Sequence, residues 1–541
     1  MALRDHRMAA ARLIVCLALA VIHTWPLALA PDRLSRHDNA DTMLNEWIVA
    51  WVVHQAPRDP AALFDANIFY PERRTLAFSE HLVVQSAMAA PMIWLGASPV
   101  LAYNLLLMLG LALSAWAMWV TMERWTGSDA AGAAAGSLLA FNAHTLTRLP
   151  HVQALHLEFL PLAWLALDSL LRRPHLRTAI ALGLLAAAQA LTSNYQLVFT
   201  ALALVVSVAV RPREWACPHS RRTLGFLLLA GAVATMLVGP SLVPYYLARQ
   251  EQGLTRSIEE VALYSSTWRD YVATAGRLHY AWWSHRFLEG ATALFPGFAA
   301  LLLAGVALGS MRVRRDPRAR MCTITGGVGL VLSFGPAVPG YAWLYASIPL
   351  LQGVRGAARF GFLMLVAVAV LGGFGVSVLR ARWGGRTWWP IAAGLLVVVL
   401  NVEALRAPLA YRPFDGVPGV YDVLANEPHA IVAEFPFFRP DAVFRNASYV
   451  LNSTAHWRKL VNGYSGFTPA SYVRHAERLR DFPGDNSRSL LDELGVTHVV
   501  VHFAEYGEHA ERMRSAVAAA GWLRTMAAQR DLTIYEVDRR R

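Results

Sequence analysis

The chain has 541 residues, of which 55% are hydrophobic and only 16% charged, against about a quarter charged in soluble globular proteins, which excludes an ordinary soluble domain. The net charge of +12 does not point to nucleic acid, because the arginines gather in short clusters between apolar runs: Arg172/Arg173/Arg177, Arg211/Arg213/Arg221/Arg222, Arg312/Arg314/Arg315/Arg318/Arg320 and Arg380/Arg382/Arg386. This is the positive-inside pattern of a polytopic membrane protein. The three cysteines, Cys16, Cys217 and Cys322, lie in or beside apolar runs, so no disulfide framework is implied.

The first apolar run, roughly residues 8 to 30, follows a basic start (Arg4, Arg7, Arg12) and ends in Ala28-Leu29-Ala30. Proline at 31 disfavours cleavage there, so the run reads as an uncleaved anchor with a cytoplasmic N-terminus. The next segment, Pro31 to His81, is the first long polar stretch. It carries Asp38, Asp41, Glu46, Asp59, Asp65 and Glu80 between two apolar runs, which puts several carboxylates at a membrane surface, where charge is costly and usually functional. From Thr42 onward Leu44, Trp47, Ile48, Trp51 and Val52 recur at helical spacing. That predicts a short interfacial helix, too short to span.

Apolar runs of ~20 residues predict further spans near 100–122, 128–143, 154–171, 176–192, 195–210, 222–244, 291–310, 321–337, 358–379 and 387–405. With the first they make eleven, and they put every arginine cluster inside. Leu82 to Gly96 is apolar but short and reads as re-entrant or tilted; counted as a twelfth span it would reverse the sidedness of all that follows. After Arg406 the chain turns polar, with β-type runs at Ala430–Phe435, Val496–His502 and Leu532–Val537 and a helical stretch at His509–Ala520. The expected fold is an α-helical polytopic membrane protein of about 11–12 transmembrane helices. It divides into a membrane domain over 1–405, with its first extracytoplasmic loop at 31–81, and an extracytoplasmic soluble α/β domain over 406–541. There is no Walker loop, GxGxxG, zinc-spaced Cys/His set or GxSxG.

The candidate chemistry lies at the outer ends. Asp38 and Asp41 suit a general base toward an acceptor hydroxyl or the ligands of a divalent cation, Mg2+ or Mn2+. Asp41 reads equally as the N-cap of the helix from Thr42, a duty Asp38 lacks. Glu80, with His81 beside it, closes the loop as a second site carboxylate. His144, Arg148, His151 and His156 form a basic patch suited to phosphate, and Asn194 and Tyr195 sit at another outer turn. Arg355 and Arg359, four apart, share a helical face at the start of a span whose positive dipole end points the same way, which predicts an anion site. The aromatics Trp268, Tyr271, Tyr280, Trp282 and Trp283 read as an interfacial belt.

These features together, Asp38/Asp41 in RHDNADT, Glu80 in FSEH and the RLPHVQALH patch, resemble the GT-C superfamily of integral membrane glycosyltransferases, which includes protein O-mannosyltransferases and aminoarabinose transferases. LLQGVRGAARFGFL and STAHWRKLVNGYSGF resemble stretches of bacterial membrane proteins of that kind. The loop has DNAD where many members have DxD. The resemblance implies a polyprenyl-phosphate-linked sugar as donor and a glycan, lipid or protein acceptor on the extracytoplasmic face of a bacterial cytoplasmic membrane. It implies Asp38 or Asp41 as base or metal ligand and Glu80 as the second acidic residue. The expected partners are donor, acceptor and membrane lipids, without nucleic acid. Two other classes fit less well: a transporter or flippase for a lipid-linked glycan, which calls for paired charges in mid-span, and a non-catalytic envelope assembly protein.

Overall fold

A computed structural model of the chain describes residues 2–216, 220–253 and 256–538; Cys217 lies outside them. Packing divides the chain into two units. The first comprises Met1–Pro31, Asn104–Pro240 and Thr255–Ala410, and the second Asp32–Tyr103, Ser241–Leu254 and Tyr411–Arg541.

The first unit is a helical bundle, and each expected span falls on a helix: Ala2–His23, Pro99–Thr126, Asp129–Ala140, Phe159–Arg172, Leu176–Thr192, Asn194–Ala209, Arg221–Gln252, Phe298–Gly309, Pro317–Ser333, Gly361–Trp383 and Trp389–Ala404. Four stretches are long and apolar enough to cross a membrane by length and composition, namely Pro99–Thr126, Val152–Arg172, Arg221–Gln252 and Ala357–Trp383. The other apolar helices are shorter than their hydropathy predicts, because caps and breaks end them early. Ser128 caps Asp129–Ala140 by accepting from Ala131 N, and Asp316 followed by Pro317 opens Pro317–Ser333.

Gly361–Trp383 is the hub of the bundle. It packs against Pro317–Ser333, Asp129–Ala140 and Phe298–Gly309, and its Leu363, Val366 and Val370 are fully buried. Close approach is bought with glycine: a Cβ at Gly375 would run into the Leu303 carbonyl, and one at Gly329 would sit 2.7 Å from the Phe360 carbonyl. On the outside, the 32-residue Arg221–Gln252 helix buries only 11% of its most apolar window. Leu184, Val205, Leu302 and Leu395 are likewise exposed, an apolar surface of the kind that faces lipid.

The arginine clusters close one end of this bundle. Asp168 accepts from Arg211 Nη1 at 2.9 Å and Arg318 Nε at 3.0 Å, and Arg211 also pairs with Glu214. Arg318 donates to the Trp125 carbonyl, Arg320 to that of Val210 and Arg380 to that of Gly127. The cations thus satisfy carbonyls left over at helix C-termini.

The second unit contains a five-stranded sheet in the order β4-β3-β5-β7-β6, with β3 Ile431–Phe435, β4 Lys459–Leu460, β5 His498–His502, β6 Leu523–Gln529 and β7 Leu532–Val537. β3 runs parallel to β4 and β5, whereas β7 is antiparallel to β5 and β6. The three predicted runs are β3, β5 and β7; β6, mostly exposed, has no apolar alternation to announce it. The polar loop belongs to this same unit. β1 (Leu34–Ser35) pairs with β2 (Arg412–Pro413), and Asn67–Tyr70 hydrogen-bonds to the backbone of Leu460 and Asn462.

One expectation changes. The helix predicted as interfacial, observed as Ala40–Gln55, buries Trp47, Ile48, Val49, Trp51 and Val52 within the protein; its apolar face packs on Ala447–Asn452 and Val83–Trp94 and not on lipid. Leu82–Gly96, read as re-entrant or tilted, forms the 12-residue helix Val83–Trp94, about 18 Å long against a hydrocarbon core of about 30 Å.

Gly375→Leu should destabilise the purified protein by roughly 1–3 kcal/mol through overpacking, whereas Gly239→Ala, with open space around it, should not. Thermal unfolding in detergent measures both.

Candidate functional site

At the end of the bundle opposite the arginine clusters lies a cavity of about 610 Å³ lined by Arg148, Arg269, Arg355 and Arg359 together with Tyr264 and Glu289. Arg148 follows the short helix Ala143–Thr147, which Asn142 caps by accepting from Thr145 N. Arg359 sits in the turn Ala357–Phe360 that leads into Gly361–Trp383, and Ala358 N bonds the Tyr264 carbonyl at 3.1 Å.

These cations are not equally engaged. Arg355 pairs with Glu260 at 3.0 Å, donates to the Tyr264 hydroxyl at 2.5 Å and lies over that ring; Arg269 donates to the Arg286 carbonyl. Arg359 rests on the Tyr195 ring, 4.1 Å from its centroid. Among the described residues no carboxylate pairs with Arg148 or Arg359, and Arg148 Nε is buried without a hydrogen-bond partner. Burial, and then the charge of Arg359, lowers the Arg148 guanidinium to about 10. The same two arginines add to burial in pushing His144 well below its ordinary value, so this histidine is neutral. Two cations with no carboxylate paired to them among the described residues, in a cavity that Asp270 and Glu289 also line, suit an anion. Asp270 is not available to neutralise them, since it accepts from Thr267 N, Thr267 Oγ1 and Thr292 N.

The predicted patch is therefore partly assembled. Arg148, Arg355 and Arg359 share the cavity, with His144 and Tyr195 behind them. His151 and Asn194 do not line it; Asn194 begins a helix capped by Ser193. His156 is locked into the bundle, its Nδ1 2.8 Å from Glu158 and its Nε2 donating to the Leu106 carbonyl. Tyr264, Arg269 and Glu289 lie in the polar segment 245–289 that the sequence places at the outer side, but no pattern singles them out there. Trp268, Trp282 and Trp343 at this end are 64%, 82% and 70% exposed, an arrangement typical of the headgroup layer.

The acidic loop stands in the second unit. Asp38 receives Arg36 Nε and Nη2, each at 2.9 Å, and this pairing holds its carboxyl below the usual value. The cap expected of Asp41 belongs to Asn39, whose side chain accepts from Asp41 N. Asp41 instead accepts from the Tyr464 hydroxyl at 2.7 Å, a partner no local pattern discloses. Glu46 is fully buried and receives Ser35 Oγ and His37 Nε2, both at 2.7 Å. Glu80 is half-buried. His81 is buried, accepts from Val83 N and is lowered by burial to about 4, which keeps it neutral. No group of three or more His, Cys, Asp or Glu suited to a cation occurs among the described residues, and both Asp38 oxygens are engaged by Arg36. This donor set does not fit a divalent cation.

Solved structures share this fold. Over 98% of its length the chain matches the arabinofuranosyltransferase AftD from mycobacteria, with a TM-score of 0.62 and 15% identity, and it spans 40% of that protein. It matches the archaeal oligosaccharyltransferase AglB from Archaeoglobus fulgidus, solved with an inhibitory peptide and a dolichol-phosphate, over 99% of this chain and 74% of the other, with a TM-score of 0.52 and 12% identity. At 12–15% identity the likeness to these two transferases is one of fold. No protein-family model and no curated protein matches the sequence.

Arg148→Gln should weaken binding of farnesyl phosphate by about 10- to 100-fold, the worth of one charge-assisted hydrogen bond. Arg312→Gln, exposed near the other end, should not. Titration calorimetry in detergent measures both.

Proposed function

We propose that the protein is a membrane glycosyltransferase that moves a sugar from a polyprenyl-phosphate-linked donor to a hydroxyl of a glycan, lipid or protein acceptor on the extracytoplasmic face of the bacterial cytoplasmic membrane. The observation that carries this reading is the cavity with Arg148 and Arg359 unanswered by any carboxylate among the described residues. A phosphate with an apolar tail satisfies both features of the bundle: its charge meets the arginines while its chain stays among exposed apolar helices. The dolichol-phosphate bound to the structurally similar AglB supports the same class of donor.

In the proposed reaction the acceptor oxygen attacks the anomeric carbon as the bond from that carbon to the phosphate oxygen breaks. Asp41 takes the acceptor's proton. Arg148 and Arg359 stabilise the negative charge that grows on the departing polyprenyl phosphate. Asp41 suits the role better than Asp38, whose two oxygens are bound by Arg36, or Glu46, which is buried and doubly bonded. Glu80, half-buried at the loop's far end, is the second acidic candidate.

A transporter would use paired charges in mid-span. His156–Glu158 is such a pair, but it is held in place by Ser114 and the Leu106 carbonyl, and the reading of the arginine cavity favours the enzyme.

Asp41→Asn should lower turnover of a polyprenyl-phosphate sugar by at least ~100-fold, the scale of a lost general base, and Asp38→Asn by less than ~10-fold. Assay of the purified protein in lipid measures this, and equal turnover of wild type and Asp41→Asn would remove Asp41 from the chemistry. For sidedness, a cysteine at the exposed Glu508 should react with an impermeant maleimide in intact spheroplasts. Reaction only after lysis would place the carboxy-terminal segment in the cytoplasm.

A further inference from the structure

We infer that Tyr464 is a positioning residue for Asp41, so that the carboxy-terminal segment completes the acceptor-activating group and is not an appendage to it. The inference rests on the proposed role of Asp41 and adds a second residue, 423 positions away in sequence, to the same site.

Both partners of the Tyr464–Asp41 hydrogen bond are held by rigid elements. Asp41 is the second residue of the Ala40–Gln55 helix, and its own N–H is taken by the Asn39 cap at 2.9 Å. Tyr464 stands in the run Leu460 to Phe467, which is clamped on two sides within the second unit. On the sheet side, fully buried Asn462 accepts from Glu434 N at 2.7 Å and donates to the Glu434 carbonyl at 2.9 Å, which ties the run to β3. On the loop side, Phe69 N donates to the Asn462 carbonyl at 3.0 Å and Tyr70 N to that of Leu460 at 2.9 Å.

The glycines in this run are required by close approach. A Cβ on Gly463 would lie 2.5 Å from the Phe69 ring, and one on Gly466 would lie 2.9 Å from the Phe78 carbonyl. Phe69 itself has a φ of 58°, and Trp457, which precedes the run, has a φ of 56°. Side-chain-bearing residues in that region are costly and persist where the surroundings fix them. A chain pinned so closely delivers one hydroxyl to one carboxylate oxygen in a fixed direction, which is how a supporting residue orients a reacting one.

The test uses the full chain in lipid with a polyprenyl-phosphate sugar. Tyr464→Phe keeps the ring and removes only the hydroxyl. It should lower kcat by about 10- to 100-fold, the scale of a charge-assisted hydrogen bond, and leave donor and acceptor KM within about twofold. In an Asp41→Glu background, where the carboxylate already sits one methylene out of place, the same change should cost less than about threefold, because coupled residues are non-additive. A tyrosine that only supports the fold would act alike in both backgrounds, and that result overturns the inference. So does a Tyr464→Phe kcat within twofold of wild type while Asp41→Asn is inactive, which leaves the proposed function standing. Full activity of Asp41→Asn would instead overturn the role of Asp41 itself, and the inference with it.

Discussion

The functional reading proposed for this protein depends on two guanidinium groups that face one cavity with no carboxylate paired to either among the described residues. Like charges repel, and a half-buried cation loses hydration that only water or an anion can replace. The other end of the same bundle shows what a satisfied arginine looks like here: Arg211 and Arg318 share Asp168, and Arg318, Arg320 and Arg380 close helix ends through backbone carbonyls. Arginines near that end are absorbed by structure. Arg148 and Arg359 have no such carboxylate partner among the described residues, and the proposed reading gives them a ligand.

The second unit makes a parallel selection among carboxylates. Of the eight acidic residues between Pro31 and His81, Asp38 is spent on Arg36, Glu46 on Ser35 and His37, and Asp59 on the backbone of Ala61 and Ala62. Asp65 serves Arg74 N. Asp41 differs in receiving a neutral hydroxyl from a distant segment, that of Tyr464, a donor that orients a carboxylate without cancelling its charge.

Much of this was legible in the sequence, for reasons that also explain the failures. Apolar runs located the longer described helices of the bundle, though not short ones such as Ile258–Leu263 and Tyr341–Ser347, since the cost of unpaired backbone in lipid leaves long apolar runs few alternatives. Arg148, Arg355 and Arg359 could be singled out because arginine away from the clusters violates the charge bias. The destination of an apolar helical face could not be read. Trp47, Ile48, Trp51 and Val52 have the same spacing whether they meet lipid or, as here, protein. The N-cap was misplaced because Asn39 and Asp41 both have capping side chains and the choice depends on φ and ψ. Tyr464 was invisible because its partner is set by tertiary folding, although NGYSGF carries two glycines whose spacing now has a steric cause.

The depth of the cavity bears on the kind of donor proposed for it. Gly361–Trp383 has 23 residues and is about 34 Å long, slightly more than the ~30 Å hydrocarbon core. It begins two residues after Arg359 and carries Arg380 and Arg382 in its last turn, so a bilayer matched to this helix would set Arg359 at headgroup level, a depth that the exposed Trp268, Trp282 and Trp343 also suit. For the lipid-linked donor proposed above, the tail would partition into the bilayer beside apolar helices, which would raise its local concentration at the cavity mouth, and the arginines would have only to hold a charge already at their depth.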